Sequence, residues 1–361
     1  MESNSSKEQE YEIKYSKTKY KKMVEAVSKA EDRNALILFI GAGVSISQGY
    51  PNWNEYIDKL IKYWMFHLSD LIDKEITKEK EVMRQDVLLL DQLLESNMDK
   101  KRKVDLVHHM IKKYTKIDGN EEGSKTRYEE NLLQFERLYF KDLPVCSENN
   151  EILLHLVNLN ATYITTNYDS EIEKHVQKCT GNTIAVVKDL SEVSSDIKKN
   201  SVIHLHGTPD CNPKFFISSA SSYVNLYYPN KNGETSPLQN IKEIIQHKSD
   251  ATIIFIGCSM EEDEVLSVLK LAEDEKEDKE KEIKYYALLK YDNSINLQIR
   301  EHYHNNLNDY IQSAKNVNII WYGDEFDDLP KFCERFVNDV FLKREESMSS
   351  LESDWRILNG E

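Results

Sequence analysis

Residues Ala35 to Ile40 read ALILFI, an unbroken apolar run stopped by Gly41. A strand with one wet face alternates apolar and polar residues. An uninterrupted run must be buried on both faces, as in a parallel strand held between two helical layers. Further short apolar runs follow at Ala161 to Thr165, Thr183 to Val187, Ser201 to Leu205, Ala251 to Ile256, Lys284 to Leu289 and Val317 to Trp321. Most are separated by stretches with helical spacing. Strands that alternate with helices build a largely parallel sheet covered on both faces, so the pattern predicts a doubly wound α/β chain.

The alternation lapses once. From Trp53 to about Phe140 nothing reads as a strand, while apolar residues recur at three- and four-residue steps. Trp53, Tyr56, Ile57, Leu60, Ile61, Trp64, Met65, Leu68, Leu71 and Ile72 form one helical stripe. Further helices are expected around Val87 to Leu94, Val104 to Tyr114 and Leu132 to Leu138, with the polar stretch Asp118 to Thr126 as a mobile loop. The expected organisation is therefore a polar N-terminal segment and helix over 1–34, with its helical pattern at Lys22 to Ala30, and a main domain over 35–340. A helical insertion at 53–140 separates the first and second strands, and a tail occupies 341–361. In the tail, Trp355, Ile357 and Leu358 could dock on a neighbour or pack back. The charged run Glu273 to Glu282 reads as a solvated helix end or surface loop.

Several function classes drop out on composition. No apolar run approaches the roughly 18 residues of a membrane span, and the N-terminus lacks the apolar core of a secretory signal, so a cytoplasmic protein without membrane attachment is expected. The cysteines, Cys146, Cys179, Cys211, Cys258 and Cys333, are odd in number and widely spaced. They give neither a disulfide framework nor a zinc ribbon, and no zinc is expected. A formal net charge of -16 disfavours direct nucleic-acid binding by this chain alone.

Four strand ends carry residues suited to chemistry. GAGVS, Gly41 to Ser45, follows the first strand; such glycines let backbone approach a diphosphate, or simply make a tight turn. The usual dinucleotide fingerprint fails at its third glycine, where Ile46 stands. TTNYD, Thr165 to Asp169, offers Asn167 for a water or sugar hydroxyl and Asp169 for an amide, although Asp169 could equally cap the next helix. HLHG, His204 to Gly207, places two histidines at alternating positions, expected to point one way with His206 at the rim. Such a histidine is usually structural, yet it is the side chain best suited to take a proton near neutrality. A two-histidine metal site ranks below both readings. IGCS, Ile256 to Ser259, is either a turn or a place where ribose or phosphate meets the backbone. All four lie at carboxyl ends of expected parallel strands, where open α/β sheets bind ligands.

In order and spacing, GAGVS, GYPNW (Gly49 to Trp53), TTNYD, LHG and GCS resemble the sirtuin-like NAD-binding domain, over roughly Ala35 to Phe336. The resemblance implies a Rossmann-like fold. It also implies NAD as substrate, with Gly41, Ala42, Gly43 and Ser45 on the diphosphate, Asn167 on the ribose, Asp169 on the carboxamide, His206 as base, and Gly257 and Ser259 toward the adenosine. Two departures matter. The paired-cysteine zinc ribbon of the family's protein deacylases is missing, and Asn52, Trp53 and Asn54 stand where they carry Asp-Phe-Arg. The chain looks instead like the sirtuin-like effectors of bacterial antiphage defence, which hydrolyse NAD. The resemblance thus implies an NAD glycohydrolase that depletes NAD in an abortive, antiviral response, paired with a hexameric HerA-type ATPase, and the apolar stripes of the helical module, with the tail near Trp355, add the expectation of a homo-oligomer. An NAD-dependent deacylase and a non-enzymatic NAD- or ADP-ribose-binding scaffold are the alternatives.

Overall fold

The computed structural model describes residues 2–74, 79–116, 120–142, 150–190, 198–227, 238–248, 250–260 and 284–359. Each apolar run forms a strand: β1 Leu36–Ile40, β2 Thr162–Thr165, β3 Val186–Val187, β4 Val202–His204, β5 Thr252–Ile256, β6 Lys284–Lys290 and β7 Val317–Gly323. They form one sheet in the order β3-β4-β2-β1-β5-β6-β7, and every neighbouring pair is parallel. The order reverses at β1, which lies between β2 and β5, and that reversal opens the crevice of a doubly wound sheet.

Burial on both faces explains the unbroken runs. Leu36, Leu38 and Ile40 join the core on one side of β1, and Ile37 and Phe39 the core on the other. The first face is covered by α1 (Glu2–Asp32), α8 (Glu151–Leu156), α9 (Glu171–Thr180) and the long C-terminal α13 (Asp328–Asn359). The second is covered by α10 (Ala220–Tyr227), α11 (Leu238–His247) and α12 (Leu297–Lys315). Helix α13 continues without a break past Val340, where a separate tail was expected to begin. It is tied to α1 by Tyr20, whose hydroxyl donates to Asp339 at 2.5 Å, and by Arg344 against Glu31 and Asp32 at 3.2 Å each. The charged run Glu273 to Glu282 and the side chains of Trp355, Ile357 and Leu358 lie outside the described residues.

The insertion between β1 and β2 is helical. It comprises α3 (Trp53–Lys74), α4 (Glu79–Glu95), α5 (Lys100–Tyr114), α6 (Glu121–Leu132) and α7 (Gln134–Asp142). The stripe of α3 packs on Leu90 and Leu93 of α4 and on Val104, Val107 and Ile111 of α5, giving the module a core of its own. One expectation fails here. The stretch expected as a loop to Thr126 is helical from Glu121, because Asn120 caps the helix by accepting the Gly123 N–H at 2.8 Å. The helix faces water along most of its length, so its composition is that of a loop while its cap and backbone are those of a helix.

Candidate functional site

The turns after β1 and β5 touch through bare backbone. Gly41 donates its N–H to the Ile256 carbonyl at 2.8 Å, and Gly43 donates to the Gly257 carbonyl at 2.9 Å. A Cβ on Gly41 would lie 2.6 Å from the Gly257 oxygen, and one on Gly257, where φ is +70°, would lie 2.7 Å from the Val44 nitrogen. These glycines let the two turns interlock. In this arrangement the amides of Gly41 and Gly43 are bonded to neighbouring carbonyls. Ala42 is exposed at the start of the five-residue helix α2 (Ala42–Ile46), and Ser259 is exposed just beyond the β5 turn.

The second turn is wired to the first. Asn167 donates through Nδ2 to the Gly41 carbonyl at 3.1 Å and to Ser45 Oγ at 3.0 Å, and Ser45 donates to Asp169 Oδ2 at 2.7 Å. Asp169 also accepts the Glu171 N–H at 3.0 Å, so it does serve the start of α9. Ser45 and Asp169 are thus bonded to each other at this turn. Burial raises the Asp169 carboxyl above its ordinary range, against the pull of the Ser45 and Glu171 hydrogen bonds. Among the described residues one atom of this cluster has no partner: Asn167 Oδ1, buried on a residue only 7% exposed. Its amide nitrogen is pinned by two acceptors, so the oxygen's direction is set before anything binds.

The two histidines do not point one way. Strand β4 ends at His204, and a turn through Gly207 at φ +73° follows, so the strand's alternation no longer governs His206. His204 faces α9. Its Nδ1 meets the Asn167 carbonyl at 3.0 Å and its Nε2 meets Glu173 Oε1 at 2.9 Å. Both ring nitrogens face acceptors, which the imidazolium form satisfies. Burial alone would lower its pKa, but the Glu173 hydrogen bond and charge raise it overall. His206 faces α10 in the opposite layer, sharing a hydrogen bond of 3.0 Å between Nε2 and the Tyr227 hydroxyl, with its ring edge-on to Tyr223. It is 2% exposed, not a rim residue. Burial, assisted by the charge of Lys101, pushes its pKa down to about 3, so the ring is neutral. Two rings that diverge in this way do not converge on a metal.

The helical module closes over this end of the sheet. Tyr168, inside TTNYD, donates to the Ile217 carbonyl at 2.7 Å and packs among Trp53, Tyr56, Phe140 and Phe216. Lys101 of α5 lies 3.5 Å from the ring centroid of Tyr223, and Tyr223 in turn contacts His206. Tyr50 donates to Glu171 at 3.1 Å. Reading the sequence missed Tyr227, Tyr223, Glu173 and Lys101. A signal for the tyrosines was available in their four-residue spacing, which puts both on one face of a helix.

The geometry thus gathers Gly41, Ser45, Asn167, Asp169 and Gly257 over the sheet's reversal, with His206 one strand further out and joined to them by no hydrogen bond among the described residues. Residues 161–317 match the SIR2-like domain. The matched SIR2-like segment begins just before β2 and ends at the start of β7. It takes in TTNYD, HLHG and GCS and leaves out GAGVS and the helical module. SIR2-like domains use NAD, and the match supports a sirtuin-like protein with NAD-related activity. No helix among the described residues is long and apolar enough to cross a membrane.

Proposed function

We propose that this protein hydrolyses NAD to nicotinamide and ADP-ribose in the crevice above β1, β2, β4 and β5. The observation that carries the reading is Asn167 Oδ1, a fixed, buried acceptor at the carboxyl end of β2 with no partner among the described residues. A ribose hydroxyl is a donor of the kind it lacks. Loss of neutral nicotinamide leaves an oxocarbenium-like sugar, so the site needs sugar positioning and a proton acceptor more than a strong nucleophile. Asn167 supplies the first and His206 the second. Ala42 and Ser259, exposed at the two interlocked turns, would meet the diphosphate and adenosine side.

A histidine with a pKa of about 3 is a poor base at neutral pH. His206 gains basicity only when the α5–α10 cover loosens or when substrate brings negative charge beside it. This supports gating by assembly, with the helical module as the part that moves. Phe66 of α3 and Leu88 of α4 are 79% and 63% exposed, surfaces suited to partner contact. The full proposal is a homo-oligomeric antiphage effector whose NAD depletion is switched by a HerA-type ATPase. The test is chromatography of NAD incubated with the purified chain, alone and with that ATPase, with assembly size followed by light scattering. Nicotinamide and ADP-ribose are expected without any acyl-peptide. Turnover only with acetyl-lysine peptide would replace the proposal with a deacylase, and binding without turnover would replace it with a scaffold.

Tyr227→Phe keeps the ring against His206 and deletes only the hydroxyl. The expected result is a kcat reduced about tenfold with KM little changed, and a stability loss of about 1 kcal/mol, the typical net worth of one hydrogen bond. Unchanged kcat would mean that Tyr227 does not orient the imidazole.

A further inference from the structure

Asn167 is tied down through its main chain as well as its side chain. Its N–H donates to Thr165 Oγ1 at 3.0 Å, and its side-chain nitrogen donates to the Gly41 carbonyl and to Ser45 Oγ. Its carbonyl meets His204 Nδ1 at 3.0 Å. The parallel register sets His204 beside Thr165, at the matched ends of β4 and β2, which brings the ring within reach of the turn that carries Asn167. A carbonyl can only accept, so Nδ1 carries a hydrogen. A carboxylate can only accept as well, so the 2.9 Å contact between Nε2 and Glu173 Oε1 places a hydrogen on that nitrogen too. Glu173 of α9 and Asp169 of the same turn are the acidic groups that face the ring. The side chain of His204 has no exposed surface and that of Glu173 is 13% exposed. Burying such a pair is costly, and an apolar filling of similar volume is often no less stable. What the pair supplies and an apolar side chain cannot is a fixed donor aimed at one carbonyl.

We propose that His204, paired with Glu173, is a positioning residue for Asn167: it donates to the Asn167 carbonyl and so keeps the side-chain Oδ1 in place for a ribose hydroxyl. This rests on the NAD reading above. The two histidines of HLHG then have separate tasks, with His206 for the proton and His204 for the geometry of Asn167.

The test uses the full chain, with the ring nitrogens of labelled histidine followed by nitrogen NMR and NAD turnover by chromatography. Two protonated nitrogens are expected on His204 near neutral pH, and Glu173→Gln should leave only Nδ1 protonated. His204→Leu, which deletes the donor, should lower kcat about tenfold to a hundredfold with KM little changed, the scale of loss that a small misplacement of a reacting group causes. His204→Asn, whose amide nitrogen can stand where Nδ1 stands, should recover most of that loss. Unchanged kcat in His204→Leu, equal losses in the Leu and Asn variants, or an unprotonated Nδ1 in the wild type would overturn the proposal. If His204→Leu does not fold, a kcat below about a tenth of wild type in His204→Asn overturns it. If the wild-type chain turns over no NAD in any assembly, the NAD reading falls, and side-chain amide signals of Asn167 that stay unmoved in the His204 variants overturn the positioning role separately.

Discussion

His206→Gln is expected to lower NAD turnover by about 10²–10⁴, the usual loss when a general base is removed. Glutamine is the informative replacement because it fills much of the imidazole's volume and can still pair with the Tyr227 hydroxyl. Alanine would add a void against Tyr223 and Tyr227 and confuse chemistry with folding. The same variant carries a pH signature. His206 binds its proton only near pH 3 when folded, whereas the unfolded chain binds it below about pH 6.5. Between those values the unfolded state holds the extra proton, so the buried ring makes stability fall as pH falls. Removing it should therefore raise the variant's stability relative to wild type by about 1.4 kcal/mol for each pH unit below ~6. Comparing the two proteins cancels the opposing contributions of His204 and Asp169, which both retain. Urea unfolding of the pair at several pH values reads the difference. A pH-independent difference would mean that His206 is not the sealed, neutral residue described.

Gly257→Ala should be the most damaging small substitution in the turns, costing about 2–5 kcal/mol and abolishing turnover. Two penalties combine. A left-handed backbone costs a residue with a Cβ about 1–2 kcal/mol, and the new methyl would lie 2.7 Å from the Val44 nitrogen, an overpacking worth roughly 1–3 kcal/mol. Gly181→Ala is the control. Its φ is +66°, but a Cβ there meets nothing within 4 Å, so only the backbone penalty applies. Equal losses in the two variants, measured by denaturant midpoint, would show that the β1 and β5 turns are not locked together.

The strands were legible because burial on both faces leaves an unbroken apolar run, here too short for a buried helix and closed by turn residues. ALILFI and ATIIFI could only be covered twice, and they became the adjacent β1 and β5. The stripe from Trp53 to Ile72 was legible for a similar reason, since its period is that of a helix and its apolar side needs a partner. The turn motifs could be found because strand ends are where glycine and hydrogen-bonding residues concentrate. Helix α6 was not legible: a helix that buries almost nothing has no apolar period to read.

The interior of the site depended on packing that no local pattern carries. Ser45 and Asp169, which bond to each other, are 124 positions apart, and Asn167 reaches the Gly41 carbonyl across 126. Only the order of strands in the sheet makes them neighbours, and hydrophobic period sets what a segment becomes, not which segment lies beside it. The direction of His206 was lost for the complementary reason. Alternation holds while a strand continues; β4 stops at His204, and from there the fit of an imidazole against Tyr223 and Tyr227 takes over. The residue types for the chemistry were thus visible in the chain, while their burial, charge state and partners came from side chains meeting across more than a hundred residues of sequence.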